Sequence, residues 1–163
     1  MEKTTPVIEP RSFYPVRFND CDPFGHLNNS RYIDYFLNAR EDHLLDHYQF
    51  VFPEWINKGV GWVVTEHEIN YIRPANAYET VCIQTSLIDY SDSQLVVEAL
   101  MTDKEQQQVK AVLWTRFVFV NIKAGKKEKH PPELMEFVAP LKNPKIDAAA
   151  GLKGRLAQLL KKS

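Results

Sequence analysis

Hydrophobic residues recur at two different spacings along this chain, and the change of spacing separates a helical part from a strand-rich part. Between Ser30 and Asp46 the apolar positions follow the 3.6-residue period of a helix. Asn28 or Asn29 is placed to cap its start, and residues 53–57, followed by Gly59, predict a second, short helix. The stripe on the long helix is wide, which indicates a helix covered on much of its circumference; it comprises Tyr32, Ile33, Tyr35, Phe36, Leu37, Ala39, Arg40 and Leu44.

From Gly61 onward, β-branched and aromatic residues dominate and predict strands. We expect strands over 62–72, 80–90, 94–102 and 108–122, preceded by a short one over 14–18. Residues 90–93 and 103–106 are the expected hairpin turns. The long helix must bury a wide apolar face, and a curved antiparallel sheet wrapped around it is the large partner available. The other face of the sheet is also apolar, which argues for a second subunit or a second layer.

The end of the chain has a different character. Residues 123–129 are polar, 132–137 favour a short helix, and 143–147 resemble a linker. Leucines and basic residues from 152 to 162 then predict a short amphipathic helix. This helix docks on its own domain or on a partner subunit, lies at a membrane surface, or is disordered. We expect one domain over 1–163, with a core over about 12–135 and a C-terminal extension over 136–163.

Composition narrows the functional classes. The chain has 163 residues, a hydrophobic fraction of 44% and a charged fraction of 25%, as in an ordinary globular domain. The net charge of -1 argues against a nucleic-acid partner. Apolar runs long enough to span a membrane are absent from the sequence, so stable membrane insertion is not expected. Two distant cysteines and an N-terminus without a signal peptide favour a reducing, cytoplasmic location.

The densest group of reactive side chains lies between Asp20 and Asn29. It offers two carboxylates, an imidazole, two amides and a thiol just before the long helix. Unpaired N–H groups and the positive end of the helix dipole are therefore nearby. A carboxylate beside such donors suits acyl transfer. The alternative is that Asp20 and Asp22 only order the turn, with His26 on the surface.

Two segments carry a family resemblance. Residues 16–32, VRFNDCDPFGHLNNSRY, resemble the signature of the hot-dog-fold acyl-CoA thioesterases of the 4-hydroxybenzoyl-CoA thioesterase-like family. Residues 69–75, INYIRPA, resemble that family's second-strand segment, and residues 26–32 also resemble the acyl-ACP thioesterases. The resemblance covers about residues 12–135. Phe24 stands where the acyl-ACP branch has an Asn, so the resemblance does not carry over that branch's Asn-assisted mechanism and argues against a simple transfer of acyl-ACP specificity.

The resemblance implies an α+β hot-dog fold, in which about five antiparallel strands wrap around one long helix. It implies at least a dimer, a homodimer or a homotetramer, with active sites at the subunit interface. The expected substrate is an acyl-CoA, hydrolysed to the free acid and coenzyme A. No metal or redox cofactor is implied.

The resemblance and the residue chemistry together suggest individual roles. Asp22 attacks the thioester carbonyl or activates the attacking water. His26 orients the acid or the water, and the backbone N–H groups of Gly25 and His26 are candidate oxyanion donors. Asn29 holds the loop, positions water or caps the helix. Tyr32 and Trp62 line an acyl pocket or fill the core, and Arg73 is a cation for a coenzyme A phosphate.

For the other reactive residues we expect structural rather than catalytic roles. Cys21 packs rather than acting as a nucleophile, and His43 and His47 lie on a solvated helix face. Two further functions stay open. One is a non-catalytic acyl-CoA-binding module, and the other is a hot-dog hydratase or dehydratase, although the Asp-x-Asn-Pro-x-His pattern of those enzymes is absent from the sequence.

Overall fold

The computed structural model describes residues 5–161 and contains a curled antiparallel sheet around one long helix. The strands are β1 (Arg11–Pro15), β2 (Val60–Tyr71), β3 (Thr80–Tyr90), β4 (Gln94–Asp103), β5 (Val109–Asn121) and the two-residue β6 (Lys126–Lys127). The helices are α1 (Tyr32–Tyr48), α2 (Phe52–Asn57), α3 (Pro132–Val138) and α4 (Gly151–Leu160). The predicted hot-dog fold is confirmed.

The strand order is β1-β3-β4-β5-β2, with β6 beside β5. Both predicted hairpins are present, linking β3 to β4 and β4 to β5. By contrast, β2 and β3 lie far apart in the sheet, since β2 pairs with β5. The chain between them, residues 72–79, therefore crosses the end of the sheet, next to the start of α1.

Local chemistry explains the start of α1. The Asn28 side chain accepts a hydrogen bond from the N–H of Ser30 at 3.0 Å, so Asn28 is the cap. A 3-10 turn over Asn29–Arg31 precedes the α-helix, which therefore begins two residues later than expected. The face of α1 that is buried against the sheet consists of Tyr32, Phe36, Ala39 and His43.

Two predictions about this part of the chain are wrong. The first strand covers Arg11–Pro15 rather than 14–18, because its register against β3 begins at Arg11 opposite Gln84. His43 is 1% exposed, not solvated, whereas His47 is exposed as expected. The ring nitrogens of His43 lie 2.7 Å from the Thr85 hydroxyl and 2.8 Å from the Ser12 hydroxyl, and these bonds allow the imidazole to be buried.

The chain's own C-terminal segment covers the outer face of the sheet. Leu152 of α4 and Ile146 before it pack in one buried cluster with Leu100 and Val112 of the sheet. The predicted tail helix is thus docked on its own sheet, and it supplies the second layer that the apolar outer face requires. None of the helices within residues 5–161 has the length and hydropathy to cross a membrane.

Candidate active site

Asp22 lies at the start of a tight turn that closes on His26. The N–H of Asp22 donates to the His26 carbonyl at 2.8 Å, and the N–H of Gly25 donates to the Asp22 carbonyl at 3.0 Å. Gly25 has φ of +76°, a left-handed conformation that costs glycine little and other residues more. The turn therefore depends on glycine at this position.

The Asp22 carboxylate is held by its own turn. Its Oδ1 accepts hydrogen bonds from the N–H groups of Phe24, at 2.9 Å, and His26, at 3.2 Å. Its Oδ2 makes no hydrogen bond with any residue in the described part of the chain. One carboxylate oxygen is thus fixed in place, and the other remains available to a ligand.

A cavity of about 230 Å³ lies beside this carboxylate. It is formed where the turn, the start of α1 and the end of β2 meet. Its walls mix polar and apolar groups; they are Asp22, His26, Leu27, Asn29, Tyr32, Tyr71, Ile72, Arg73 and Pro74. The structure therefore brings Asp22, His26, Asn29, Tyr32 and Arg73 together, although 51 positions separate the first from the last.

The turn is tied to α1 by Asp20. Its carboxylate accepts a hydrogen bond from the Tyr35 hydroxyl at 2.6 Å and forms an ion pair with Arg31 at 3.0 Å. These contacts make Asp20 an organiser of the loop. Cys21 donates to the Arg17 carbonyl at 3.4 Å, and burial, followed by the charges of Asp22 and Asp20, raises the pKa of its thiol. A raised pKa disfavours the thiolate and argues against a nucleophilic role.

The opposite wall of the cavity is formed by residues 72–79, which cross the end of the sheet. The sequence did not predict the contacts that hold this segment in place. The buried Lys110 donates to the Pro74 carbonyl at 3.1 Å and pairs with Glu79 at 2.9 Å. The N–H of Leu27 donates to the Ala75 carbonyl at 2.8 Å, which joins this wall to the turn. Lys110 is a charged residue within a strand of hydrophobic residues. Because a buried charge needs a partner, this position in the sequence was the signal that could have indicated its structural role.

Tyr32 is buried at the base of the cavity and is positioned by two contacts. Its hydroxyl accepts a hydrogen bond from the N–H of Ala75 at 3.2 Å, and its ring meets that of Tyr71 edge to face, with centroids 5.0 Å apart. Burial raises the pKa of the Tyr32 hydroxyl, so it stays protonated. Tyr71 also donates to the Asn29 carbonyl at 3.0 Å. Tyr71 belongs to the segment 69–75, which was the available signal for its position.

The structure revises three predicted roles. The N–H groups of Gly25 and His26 are both engaged within the turn, so they hold the Asp22 loop rather than pointing at a substrate oxyanion. Asn29 is not the helix cap, because Asn28 fills that role. Asn29 lines the cavity instead, at the first position of the turn that leads into α1.

Trp62 does not reach this cavity in the same chain. It lies near the start of β2, roughly 30 Å along the strand from Tyr71. There it packs against Phe119, with ring centroids 4.9 Å apart, and its indole N–H donates to His130 at 3.3 Å. Arg73, by contrast, lies at the exposed rim of the cavity, where a side chain can meet a large charged ligand.

Comparison with known proteins gives a consistent family. A family model described as the thioesterase-like superfamily matches residues 16–138. The long-chain acyl-CoA thioesterase FadM of Escherichia coli (strain K12) is 29% identical over 122 residues, which are 74% of this chain and 90% of FadM.

Solved structures also resemble this chain. The probable thioesterase YbaW of Escherichia coli is 26% identical with a TM-score of 0.71, and the match covers 82% of this chain and 98% of YbaW. A 1,4-dihydroxy-2-naphthoyl-CoA thioesterase from Synechocystis is 15% identical with a TM-score of 0.72, covering 85% of this chain and 99% of that one. At that identity the likeness shows the fold alone.

Proposed function

Because this chain belongs to the thioesterase-like superfamily, we propose that it is an acyl-CoA thioesterase, which hydrolyses an acyl-CoA to the free acid and coenzyme A. FadM, named as a long-chain acyl-CoA thioesterase, supports this substrate class. The observation that carries the proposal is the Asp22 carboxylate. Two backbone N–H groups fix one oxygen, and the other oxygen is unengaged beside a cavity large enough for a reacting group.

In the proposed reaction, Asp22 acts on the thioester carbonyl carbon. Either its Oδ2 attacks that carbon directly, or it removes a proton from the attacking water. In the first route a C–O bond forms between Asp22 and the acyl carbon as the C–S bond breaks, and water then cleaves the resulting mixed anhydride to the free acid and the Asp22 carboxylate. In the second route the oxygen of water forms the C–O bond as the C–S bond breaks. In both routes the coenzyme A thiolate leaves and takes up a proton. Single-turnover hydrolysis in oxygen-18 water separates these routes, because label enters the Asp22 carboxylate only when that carboxylate is the nucleophile.

The developing oxyanion needs donors other than the two turn amides. Asn29 lines the cavity and opens the turn into α1, where backbone N–H groups lack intrahelical partners and the dipole favours negative charge. We assign this role to the Asn29 N–H and its side-chain amide. His26, held in the same turn, orients the water or the acid.

Arg73 is proposed to bind a phosphate of coenzyme A. Arg73 lines the cavity at its exposed rim, and its backbone N–H donates to the Lys110 carbonyl at 3.1 Å, which fixes the backbone that carries the guanidinium. A planar guanidinium pairs with phosphate through two parallel hydrogen bonds. The nucleotide end of the substrate would thus stay near solvent while the acyl end enters the protein.

We also propose a dimer built on β2. This strand of 12 residues is at the edge of the sheet, and its outer side pairs with none of the described strands. Such an edge is a template for a second copy. Antiparallel pairing about its middle would place the partner's Trp62 opposite Ile69 of this chain, two residues from Tyr71 and so near its Asp22 cavity. The predicted acyl contact of Trp62 would then be made across the interface.

A cytoplasmic location remains part of the proposal. Cys21 and Cys82 are both free thiols, which suits a reducing compartment.

The test is thiol release from a panel of acyl-CoAs of different chain lengths. We expect turnover with at least one of them, and Asp22→Asn should reduce kcat by a factor of at least about 100 while the circular dichroism spectrum stays unchanged. Asp89→Asn is the matched control, since Asp89 is an exposed carboxylate paired with Lys142 at 3.5 Å. Tight acyl-CoA binding without thiol release would instead identify a non-catalytic binding module. Near-normal turnover in Asp22→Asn would overturn the role of Asp22.

A further inference from the structure

The crossing segment, residues 72–79, ends in a tight turn whose third residue is Tyr78. The N–H of Glu79 donates to the Asn76 carbonyl at 3.0 Å, which closes this turn. Tyr78 has φ of +66°, a left-handed conformation that glycine or asparagine usually adopts at the third position of a turn. For a bulky aromatic residue this conformation is unfavourable. Because the turn would accept glycine more easily, the tyrosine ring itself needs an explanation.

The Tyr78 ring lies on the surface, stacked on that of Phe18. The two rings are close to parallel, with an angle of 14° between their planes and centroids 6.3 Å apart. Tyr78 is 78% exposed and Phe18 is 65% exposed, so neither ring contributes to the core. The Tyr78 N–H donates to the Val16 carbonyl at 2.9 Å, which fixes the turn beside the chain that leads to Phe18. Phe18 and Tyr78 thus form an exposed aromatic platform on which a further planar ring can stack.

Two arginines without acidic partners belong to the same region of the surface. Arg17 directly precedes Phe18, and Arg73 lies at the other end of the crossing segment, at the rim of the Asp22 cavity. Both residues are exposed, and neither forms an ion pair with any residue between 5 and 161. The chain from Arg73 to Tyr78 spans at most about 18 Å. The end of the sheet therefore offers positive charge and then an aromatic platform, in a path that leads away from Asp22.

The aromatic platform lies away from the β2 edge at which we propose the dimer. Tyr78 comes two residues before the start of β3, and β4 and β5 stand between β3 and β2 in the sheet. Three strand spacings separate β3 from β2, which is about 14 Å along the sheet. A partner subunit paired with β2 would therefore leave Phe18 and Tyr78 exposed to a ligand.

We propose that Phe18 and Tyr78 bind the adenine ring of coenzyme A by stacking, and that Arg17 supplies positive charge for the 3′-phosphate on the adjoining ribose. The assignment rests on the proposed acyl-CoA substrate, since adenine is the planar ring that every acyl-CoA carries. A purine stacks on an aromatic ring through its face, and a guanidinium pairs well with a phosphate. Tyr78 is thus a specificity-determining residue, which favours a coenzyme A thioester over a thioester that lacks the nucleotide.

Binding of the nucleotide alone tests the aromatic platform without any turnover. The probes are adenosine 3′,5′-bisphosphate and inorganic pyrophosphate, which lacks the base, and each is titrated calorimetrically into the full-length protein. Tyr78→Gly should weaken bisphosphate binding about tenfold and leave pyrophosphate binding unchanged, because only the bisphosphate carries a ring that stacks. Tyr78→Phe is the matched control, since it keeps the ring and should bind both probes as the unaltered protein does.

The stability of Tyr78→Gly separates a binding role from a structural one. Glycine adopts the left-handed conformation readily, so the midpoint of urea denaturation should be no lower than that of the unaltered protein. Weaker bisphosphate binding by a protein that is at least as stable would show that the ring serves the ligand. Arg17→Gln should reduce about tenfold the preference for adenosine 3′,5′-bisphosphate over adenosine 5′-phosphate, because it removes the cation for the 3′-phosphate.

Steady-state thiol release gives a second readout. Tyr78→Gly should raise KM for an acyl-CoA about tenfold, with kcat and the KM for the acyl-pantetheine unchanged. Absence of bisphosphate binding in the unaltered protein, or equal affinity in Tyr78→Gly, would overturn the proposal even if thiol is released normally. Bisphosphate binding that depends on Tyr78, in a protein that hydrolyses none of the acyl-CoAs, would uphold the platform and refute only the hydrolytic function. A change in oligomeric mass of Tyr78→Gly without a change in bisphosphate affinity would assign the rings to a subunit contact and overturn the proposal.

Discussion

The Arg155 guanidinium of α4 donates two hydrogen bonds, of 2.8 Å and 2.9 Å, to the Glu98 carboxylate of β4, beneath the C-terminal segment. Glu98 is 1% exposed and also accepts from the Trp114 indole at 2.9 Å. A carboxylate buried this deeply is tolerated because three donors satisfy it. The contact joins positions 57 residues apart and fastens the tail to the outer face of the sheet.

Removing Arg155 should therefore destabilise the protein strongly. Arg155→Met leaves the Glu98 charge buried without its cation, and we expect the free energy of unfolding to fall by about 3–5 kcal/mol. Urea denaturation measures this change. Adding Glu98→Gln to Arg155→Met should recover part of the loss. Lys142→Met is the control, because its pair with Asp89 is exposed and should contribute less than about 1 kcal/mol. Equal effects of the two single variants would contradict the account.

His43 should make the protein sensitive to acid. Burial lowers its pKa from 6.5 to about 4, with a smaller effect from His47, while Asp42 and Asp46 act in the opposite direction. The unfolded chain thus binds a proton more readily than the folded one between these pH values. Stability is full above pH 6.5 and declines as pH falls towards 4, by about 3 kcal/mol in total from this group.

The measurement is urea denaturation at a series of pH values from 7.5 to 4. His43→Gln should flatten the pH dependence in this window, since glutamine does not titrate. His47→Gln, one turn later on the exposed face, should preserve it. The same slope in the His43→Gln protein and in the unaltered protein would show that other groups cause the acid sensitivity.

The cost of replacing Gly25 should depend on the backbone conformation that the new residue must adopt, and not on steric contacts of its side chain. A Cβ built at this position meets no atom within 4 Å, yet φ is +76°. Gly25→Val should cost about 1–2 kcal/mol of stability, and Gly25→Asn less, because asparagine enters the left-handed region more readily. Thiol release should fall in the same order, since the turn holds Asp22. If the two variants behave alike, backbone strain is not the controlling factor.

Arg73 should contribute to binding of the coenzyme A part of the substrate. Arg73→Gln is expected to raise KM for an acyl-CoA about tenfold with kcat nearly unchanged, because the lost contact is the same in the ground and transition states. The corresponding acyl-pantetheine lacks the nucleotide and its phosphates, so its KM should not change. Steady-state kinetics with both substrates separates the outcomes; an equal rise in KM for both would place Arg73 in general packing instead.

Some of the site was predictable from the chain alone, and the reason is proximity in sequence. The acid, the imidazole and the asparagines lie within ten residues, with turn formers between them, so the loop and its helix could be anticipated. The roles of the Gly25 and His26 amides could not, because they depend on hydrogen bonds within the folded turn. The position of Trp62 depends on how β2 lies relative to α1.

Local patterning of the amino acids determined the element types, the bounds of β3, a helix cap at Asn28 or Asn29 and the composition of the reactive loop, since each depends on neighbours a few residues away. Tertiary structure decided which strand pairs with which, that His43 is buried, that Lys110 supports the cavity wall, and that Arg155 fastens the tail onto Glu98. Those outcomes depend on the burial and pairing of groups far apart in the chain, which local periodicity does not record.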